Sequence, residues 1–394
     1  MSSLTRAWSD RRIPGLRTVA APAGSGLWPF GVWVLAVFAV AIVARAVLPV
    51  SDAATVGGGP WVPLASFDAA HYFAIAQHGY SGSVIERAFF PLFPVLIAGV
   101  HGLLHLVGAT VSYAVVGTAI AVAGAYGALR VLRELLALDL GQAAANKSVW
   151  LLVVAPYAFI LLAPYTESLL LLTSIGSLLA ARRRRWWLAG ALAAAASACR
   201  LPGLIVFPAL LVEYLHQVRR SEERFSRDIL GLALAPLGAV AYFAWLAFHG
   251  GIGTYNRAYT VGWPYRKFTP NILKPLYDPI LAHVFHATVV PSTSLADAIG
   301  LLSFIVTVAL LAWGWKRLRP SYQIYAALSV IVPLLTTTVS ETLGRYYLVI
   351  FPLVLIAAHV AQEHPRLMRA AIGVSVVGEA FLTALFVTGH PGVV

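Results

Sequence analysis

The sequence predicts an all-α polytopic membrane protein, and three observations predict it. Of 394 residues, 59% are hydrophobic and only 11% charged, whereas a soluble chain carries about 25% charged residues. Mean hydropathy is +0.79. Apolar runs close to the roughly 20 residues that a helix needs to cross a bilayer recur along the whole chain. This composition excludes a soluble globule, a disordered chain and a disulfide scaffold; Cys199 is the single cysteine. The net charge is +12, but the basic residues stand in short runs between apolar stretches. Such runs report topology, because cytoplasmic loops retain Lys and Arg, and no nucleic-acid partner is expected.

Residues 1–27 form a basic arm (Arg6, Arg11, Arg12, Arg17), expected in the cytoplasm. The apolar run that follows is too long for a signal peptide and lacks a small-residue cleavage site, so it reads as a retained first helix. Residues 28–394 read as a single transmembrane domain. Its apolar windows are 28–49, 89–108, 111–133, 147–163, 165–181, 186–199, 203–218, 229–248, 297–315, 321–339, 344–361 and 367–389. Pro156, Pro164, Pro202 and Pro208 interrupt the middle ones. Broken helices survive at membrane depth only where neighbours or a cavity satisfy the freed backbone groups.

Strict alternation through every window would put Arg182–Arg185 and the basic loops at 216–228 and 316–319 outside. Inverting everything after residue 109 repairs all of them together. It then places 20 of the 28 basic residues inside. The economical cause is that 89–108, which opens on Pro91 and Pro94, re-enters or makes an even number of short crossings, leaving about eleven true crossings. The inverted topology gathers five features on the outer face: the 50–88 loop, the Tyr165–Thr166–Glu167 junction, the Cys199–Gly203 junction, the 249–296 loop and the Glu341–Arg345 junction.

These external segments hold the chemistry. A helix over 67–78 would put Asp68, His71 and Tyr72 on one face at i, i+3 and i+4. A carboxylate, an imidazole and a phenol so placed can orient or deprotonate a hydroxyl. The plainer reading makes Asp68 an N-cap and Tyr72 and Tyr80 interfacial aromatics. Gln77-His78-Gly79-Tyr80 and Glu86-Arg87-Ala88-Phe89-Phe90-Pro91 follow. Glu167 at a Pro-broken turn is a costly charge near membrane depth, or else a helix cap. Arg200 holds a phosphate or snorkels. In the 249–296 loop, Arg257, Arg266 and Lys267 stand among Tyr255, Tyr259, Trp263 and Tyr265, as in a lid over an anionic head group. Arg345, followed by Tyr346, suits a phosphate as a planar multi-donor cation. His101 and His105 are spaced i, i+4 with no carboxylate nearby and read as structural. The histidines present no metal constellation, and there is no phosphate-cradling glycine loop or zinc motif. No metal and no cofactor is expected.

At this point the sequence resembles a known family. Asp68-x-x-His71, His78-Gly79-Tyr80, Glu86 and Ala88-Phe89-Phe90-Pro91-Leu92-Phe93-Pro94 are similar to the first luminal loop of the PIG-V (GPI mannosyltransferase II) family. Tyr165-Thr166-Glu167-Ser168, Arg200 with Gly203, and Arg345-Tyr346 followed by Phe351-Pro352 continue the likeness in family order. The family usually has Trp-Asp where this chain has Phe67-Asp68.

The resemblance implies a GT-C-type transmembrane helical bundle with short periplasmic juxtamembrane helices. It implies an enzyme that takes sugar from a polyprenyl-phosphate donor, an inverting mannosyltransferase that makes an α-mannoside. By similarity Asp68 is the base on the acceptor hydroxyl, His71 and Glu86 shape the site, and Arg345 faces the lipid phosphate. Tyr72, His78, Tyr80, Arg87, Glu167, Arg200, Arg257, Arg266, Lys267 and Tyr346 are the further substrate-binding candidates. The Ala- and Arg-rich chain with short loops reads as bacterial, placing the protein in the plasma membrane with its site on the periplasmic face. The expected partners are the donor, a lipid or cell-envelope glycan acceptor, and membrane lipids. The competing reading is a non-enzymatic flippase or transporter of lipid-linked sugars, for which Arg45 and Glu379 are the ionisable residues inside helices.

Overall fold

The computed structural model describes residues 27–51, 62–221, 226–263, 271, 273–274, 294–336 and 343–390. Among them the regular structure is entirely helical, as the composition predicts. The helices are α1 (Leu27–Val47), α2 (Ala69–His78), α3 (Leu92–Leu106), α4 (Tyr113–Leu140), α5 (Gln142–Ser148), α6 (Glu167–Arg182), α7 (Trp186–Cys199) and α8 (Val206–Arg219). They continue as α9 (Leu237–Phe248), α10 (Gly253–Gly262), α11 (Ser294–Gly314), α12 (Pro320–Thr336), α13 (Leu343–Tyr347), α14 (Pro352–Glu363) and α15 (Pro365–Val387).

Contacts fix the direction of each pass. Helices α4 and α6 run the same way: a methyl on Gly124 would meet Ser168, one on Gly127 would meet Leu172, and Arg182 and Arg183 pair with Asp139 and Glu134. Their C-termini define an arginine end of the bundle, and their N-termini the opposite end. The chain between them, 141–166, must therefore return across the bundle. It does so without a long helix, as α5 and short 3-10 turns at Val149–Leu151 and Ala158–Leu161. Residues Ala158–Leu161 are wholly buried. This irregular backbone is shielded by protein on all sides, the condition under which such backbone is tolerated at membrane depth.

Helix α7 comes back along α6, with Ser177 donating to the Ala189 carbonyl. Helix α8 goes down again, Gln217 donating to the Ala181 carbonyl. The segment 227–248 rises with a 44° bend between Arg227–Leu234 and α9. Helices α11 and α14 finish together at the arginine end, where Arg317 pairs with Glu363. Helix α15 ends beside Tyr165 through Phe386. Helix α3 makes no such change of end. Ile97 packs at Gly117 and His101 stacks on Tyr113 at 3.9 Å, so the chain stays where α2 lies until α4 begins. Helix α3 thus packs antiparallel along the start of α4, and His101 is a packing residue.

Among the described residues, five helices are long and apolar enough to cross a bilayer, or six if the bent pair counts as one span. The roughly eleven crossings expected are therefore not eleven long helices. Helix α6 has 16 residues, about 24 Å at 1.5 Å per residue, and nearly all of it is buried. The site is built at the N-terminus of this buried central helix.

Candidate active site

The chain enters the site through a strained residue. Phe67 has φ of +51°, a left-handed conformation that costs a non-glycine residue about 1–3 kcal/mol. Its ring packs 5.5 Å from Phe386, and the Tyr165 hydroxyl donates to the neighbouring Ser66 carbonyl at 2.9 Å. These contacts hold the turn, and the turn aims Asp68 inward. Asp68 occupies the N-cap position of α2 but makes no side-chain capping bond. Its Oδ2 instead accepts a hydrogen bond from Arg345 Nη1 at 2.9 Å. The capping reading of Asp68 gives way to an ion pair across 277 positions of sequence.

Arg345 binds a second carboxylate. Its Nε donates to Glu167 Oε1 at 2.5 Å, and Arg200 Nη1 donates to the same oxygen at 2.5 Å. Glu167 is the first residue of α6 and spends its charge on these two guanidinium groups, so it is no helix cap either. Arg200 lies 5.0 Å from the Tyr346 ring centroid and donates weakly to its hydroxyl. Arg345 lies 4.4 Å from the Tyr165 ring centroid. Two carboxylates and two guanidinium groups therefore form one alternating cluster, Asp68–Arg345–Glu167–Arg200, with formal charge zero. Burial explains the neutrality, because an unpaired ion at this depth costs several kcal/mol.

Two glycines make the approach possible. A methyl on Gly344 would collide with the Tyr157 ring, and one on Gly203 would collide with the Ala196 backbone. The first lets α13 approach the Tyr157 ring closely and carry Arg345 inward. The second lets the Arg200–Gly203 turn fold back on α7, closed by the Gly203 N–H to the Arg200 carbonyl at 2.8 Å.

Three members of the cluster, Glu167, Arg200 and Arg345, line a narrow crevice of ≈ 30 Å³. Glu167, Arg200, Arg345 and Tyr346 form its polar end, while Leu170, Pro202, Ile205, Pro333 and Val349 line the apolar remainder with Tyr325 and Ser329. Arg345 Nη2 and Glu167 Oε2 are buried with no partner. Such unpartnered atoms are exceptional, because buried polar groups are otherwise hydrogen-bonded.

Of the first-loop residues after Asp68, Tyr72 lies within electrostatic range of Arg200, Glu167 and Asp68. His71 stacks on Phe89 at 4.8 Å, and Tyr72 packs edge-on to Phe89 and Phe93. Tyr72 is buried, and burial holds its hydroxyl above the usual phenol range. The Tyr80 hydroxyl donates to the Phe89 carbonyl at 2.8 Å, and burial raises it as well. Neither tyrosine is an interfacial belt residue. Glu86 is 5% exposed with Oε2 unpartnered, folded against Gly82. Arg87 contributes its carbonyl to the Tyr242 hydroxyl.

The contacts of Tyr80, Glu86 and Arg87 lie away from the cluster, and two further candidates are not brought to it. His78 and Arg257 are exposed, at the end of α2 and on the outer surface of α10, because each belongs to the solvated face of its helix. Arg266, Lys267 and Glu341 lie outside the described residues. The sequence reading missed Tyr165 as a site residue, although it stood in the Tyr165-Thr166-Glu167 motif. It also missed the crevice wall on α12 (Tyr325, Ser329, Pro333), for which Pro333 inside a helix was the available signal.

No family model matches the chain, and no curated protein matches it either. Solved structures similar to it include two of the Archaeoglobus fulgidus oligosaccharyltransferase, one in complex with Zn and sulfate and one tethered with an acceptor peptide containing the NVT sequon via a disulfide bond. Each is 12% identical, with TM-scores of 0.41 and 0.39 over 91% and 93% of this chain. The matches cover 53% and 56% of those chains, so this protein spans about half their length.

Proposed function

We propose that this protein is a GT-C-type glycosyltransferase that moves a sugar from a polyprenyl-phosphate carrier to an acceptor hydroxyl. The observation that carries the reading is the alternating Asp68–Arg345–Glu167–Arg200 cluster at the mouth of an apolar crevice. The resemblance of the surrounding motifs to PIG-V mannosyltransferases favours mannose as the sugar and inversion as the outcome.

The chemistry is a single displacement. The acceptor oxygen attacks the anomeric carbon, its proton passes to the Asp68 carboxylate, and the bond from that carbon to the phosphate oxygen breaks. Polyprenyl phosphate leaves with the bonding electrons. Arg345 and Arg200 offset the charge that develops on it. The isoprenoid tail lies along Leu170, Pro202, Ile205, Pro333 and Val349. His71 and Glu86 shape the sugar side, with Tyr72 kept as a neutral phenol by burial. The arginine end carries Arg182–Arg185, Arg219, Arg220, Arg317 and Arg319 and is assigned to the cytoplasm by the charge rule. The site then faces the periplasm of a bacterial plasma membrane, and the acceptor is a lipid or a cell-envelope glycan.

The transporter reading draws less support. Glu379 is held by the Trp33 indole at 2.9 Å and Arg45 by the Pro63 carbonyl at 3.3 Å, both away from the crevice. Purified protein incubated with labelled polyprenyl-phosphate mannose and a panel of lipid and glycan acceptors tests the proposal. Transfer to an acceptor, lost in Asp68→Asn, supports it. Carrier movement across proteoliposomes with no transfer overturns it in favour of the transporter.

A further inference from the structure

Glu379 is a buried carboxylate that the proposed mechanism leaves unused, and it stands in a cavity apart from the crevice. Residues of α1, of α15 and of the 150–154 stretch line a groove of ≈ 510 Å³, and Glu379 is among them. That size falls within the roughly 300–1,000 Å³ of small-molecule sites. The groove and the crevice share no lining residue, so whatever binds here is separate from the transfer reaction.

The lining is selective in kind. Trp28, Trp33 and Trp150 reach the groove beside Glu379, and most of the remainder is valine and alanine. The Thr383 hydroxyl, also on the wall, is spent on the Glu379 carbonyl at 2.7 Å. The carboxylate is therefore the polar group that a ligand can address. A carboxylate offers about four acceptor sites, and the Trp33 indole N–H fills one of them at 2.9 Å. Among the described residues no cation pairs with Glu379. Glu379 and Trp33 are each 7% exposed, and a carboxylate inside an apolar helix is costly without a counter-charge.

Two features of this wall select the same ligand charge. The carboxylate attracts a cation, and so do indole faces. A neutral hydroxyl would engage the first and gain little from the second, while an anionic head group would be opposed by both. The valines and alanines suit a hydrocarbon chain. We propose that the groove between α1 and α15 binds a long-chain alkylammonium, whose N–H groups donate to Glu379 beside the tryptophans and whose chain lies along the valines. An ammonium at this depth leaves its water behind, and the carboxylate and the indoles together offset that loss.

The test uses the full-length protein in phosphatidylcholine nanodiscs and hexadecylamine carrying a mid-chain diazirine as a photolabel. Peptide mass spectrometry should find the label in 28–40 and 376–383. Unlabelled hexadecylamine should compete at about tenfold lower concentration than hexadecanol, the margin expected of a charged over a neutral hydrogen bond. Glu379→Gln should erase that margin. Val376→Trp, a substitution on an exposed position of the same wall, fills the groove and should suppress labelling; it serves if Glu379→Gln does not fold. Equal competition by amine and alcohol marks an ordinary lipid-filled cleft and overturns the proposal. So does a margin that persists in Glu379→Gln, labelling confined to other peptides, or labelling undiminished by Val376→Trp. None of these outcomes bears on the crevice or on the enzyme reading.

Discussion

Glu213 on α8 and Arg319 at the foot of α12 are joined by two hydrogen bonds from one Nε, at 2.8 and 3.0 Å, at the arginine end of the bundle. Glu213 is fully buried and also accepts from Ser321 at 2.6 Å and Gln217 at 2.7 Å. Arg182 stands 4.0 Å away and binds Asp139 and the Tyr322 hydroxyl. The network ties α4, α6, α8 and α12 together at the end opposite the site. Two of these helices, α6 and α12, continue into the crevice walls.

Breaking that network should cost stability. Glu213→Ala leaves Arg319 and Ser321 without their acceptor in a buried position, for which about 3–5 kcal/mol is expected. Thermal unfolding in detergent should show a large drop in Tm, with a smaller drop for Glu213→Gln, which keeps the shape and some of the acceptors. Equal melting of the alanine variant and the unmutated protein would contradict the network's structural weight.

Asp68→Asn should abolish transfer while the protein still folds and inserts. Loss of a positioned general base is expected to slow turnover by about 10²–10⁴-fold. Because the side chain makes no capping bond to α2, the helix should persist, while loss of the charge that faces Arg345 lowers the melting temperature. Normal turnover in the purified variant would remove Asp68 from the proposed role.

Arg345→Ala should weaken donor binding more than acceptor binding, since the residue lines the crevice. The measurement is the KM for each substrate separately. A parallel rise in both would place the guanidinium's effect in folding.

Tyr165→Phe removes the hydroxyl that holds the Ser66 carbonyl and keeps the ring that packs on Arg345. A neutral hydrogen bond of this kind contributes about 0.5–1.5 kcal/mol. Its loss loosens the strained turn at Phe67, so kcat should fall while donor affinity is retained. A variant with unchanged kcat would show that the turn is held by Phe386 alone.

Trp33→Phe leaves the Glu379 carboxylate without its indole donor between α1 and α15. A cost of about 1–3 kcal/mol is expected for the unsatisfied group, read as a lower Tm, with transfer activity per folded molecule preserved. Loss of activity without loss of stability would instead draw Glu379 into function.

Much of this was legible in the chain itself. Apolar runs of bilayer length, arginine runs between them and the misfit of strict alternation are local properties, each settled within about twenty residues. They determined that the protein is helical and membrane-embedded. They also singled out Asp68, Glu167, Arg200 and Arg345 as charges in places where charge is costly, because the penalty for an ion near hydrocarbon depends on its immediate neighbours in sequence. Partnership is a different kind of quantity. Asp68 and Arg345 are 277 residues apart, and nothing local tells a helix cap from half of an ion pair. Nor does local pattern tell a tyrosine of the interfacial belt from one buried against Phe89, or a crossing helix from the buried 3-10 turns of Ala158–Leu161. Those distinctions rest on Coulomb energy and packing summed over elements far apart in the chain. Only the closed bundle, with Gly203 and Gly344 permitting its closest approaches, sets them.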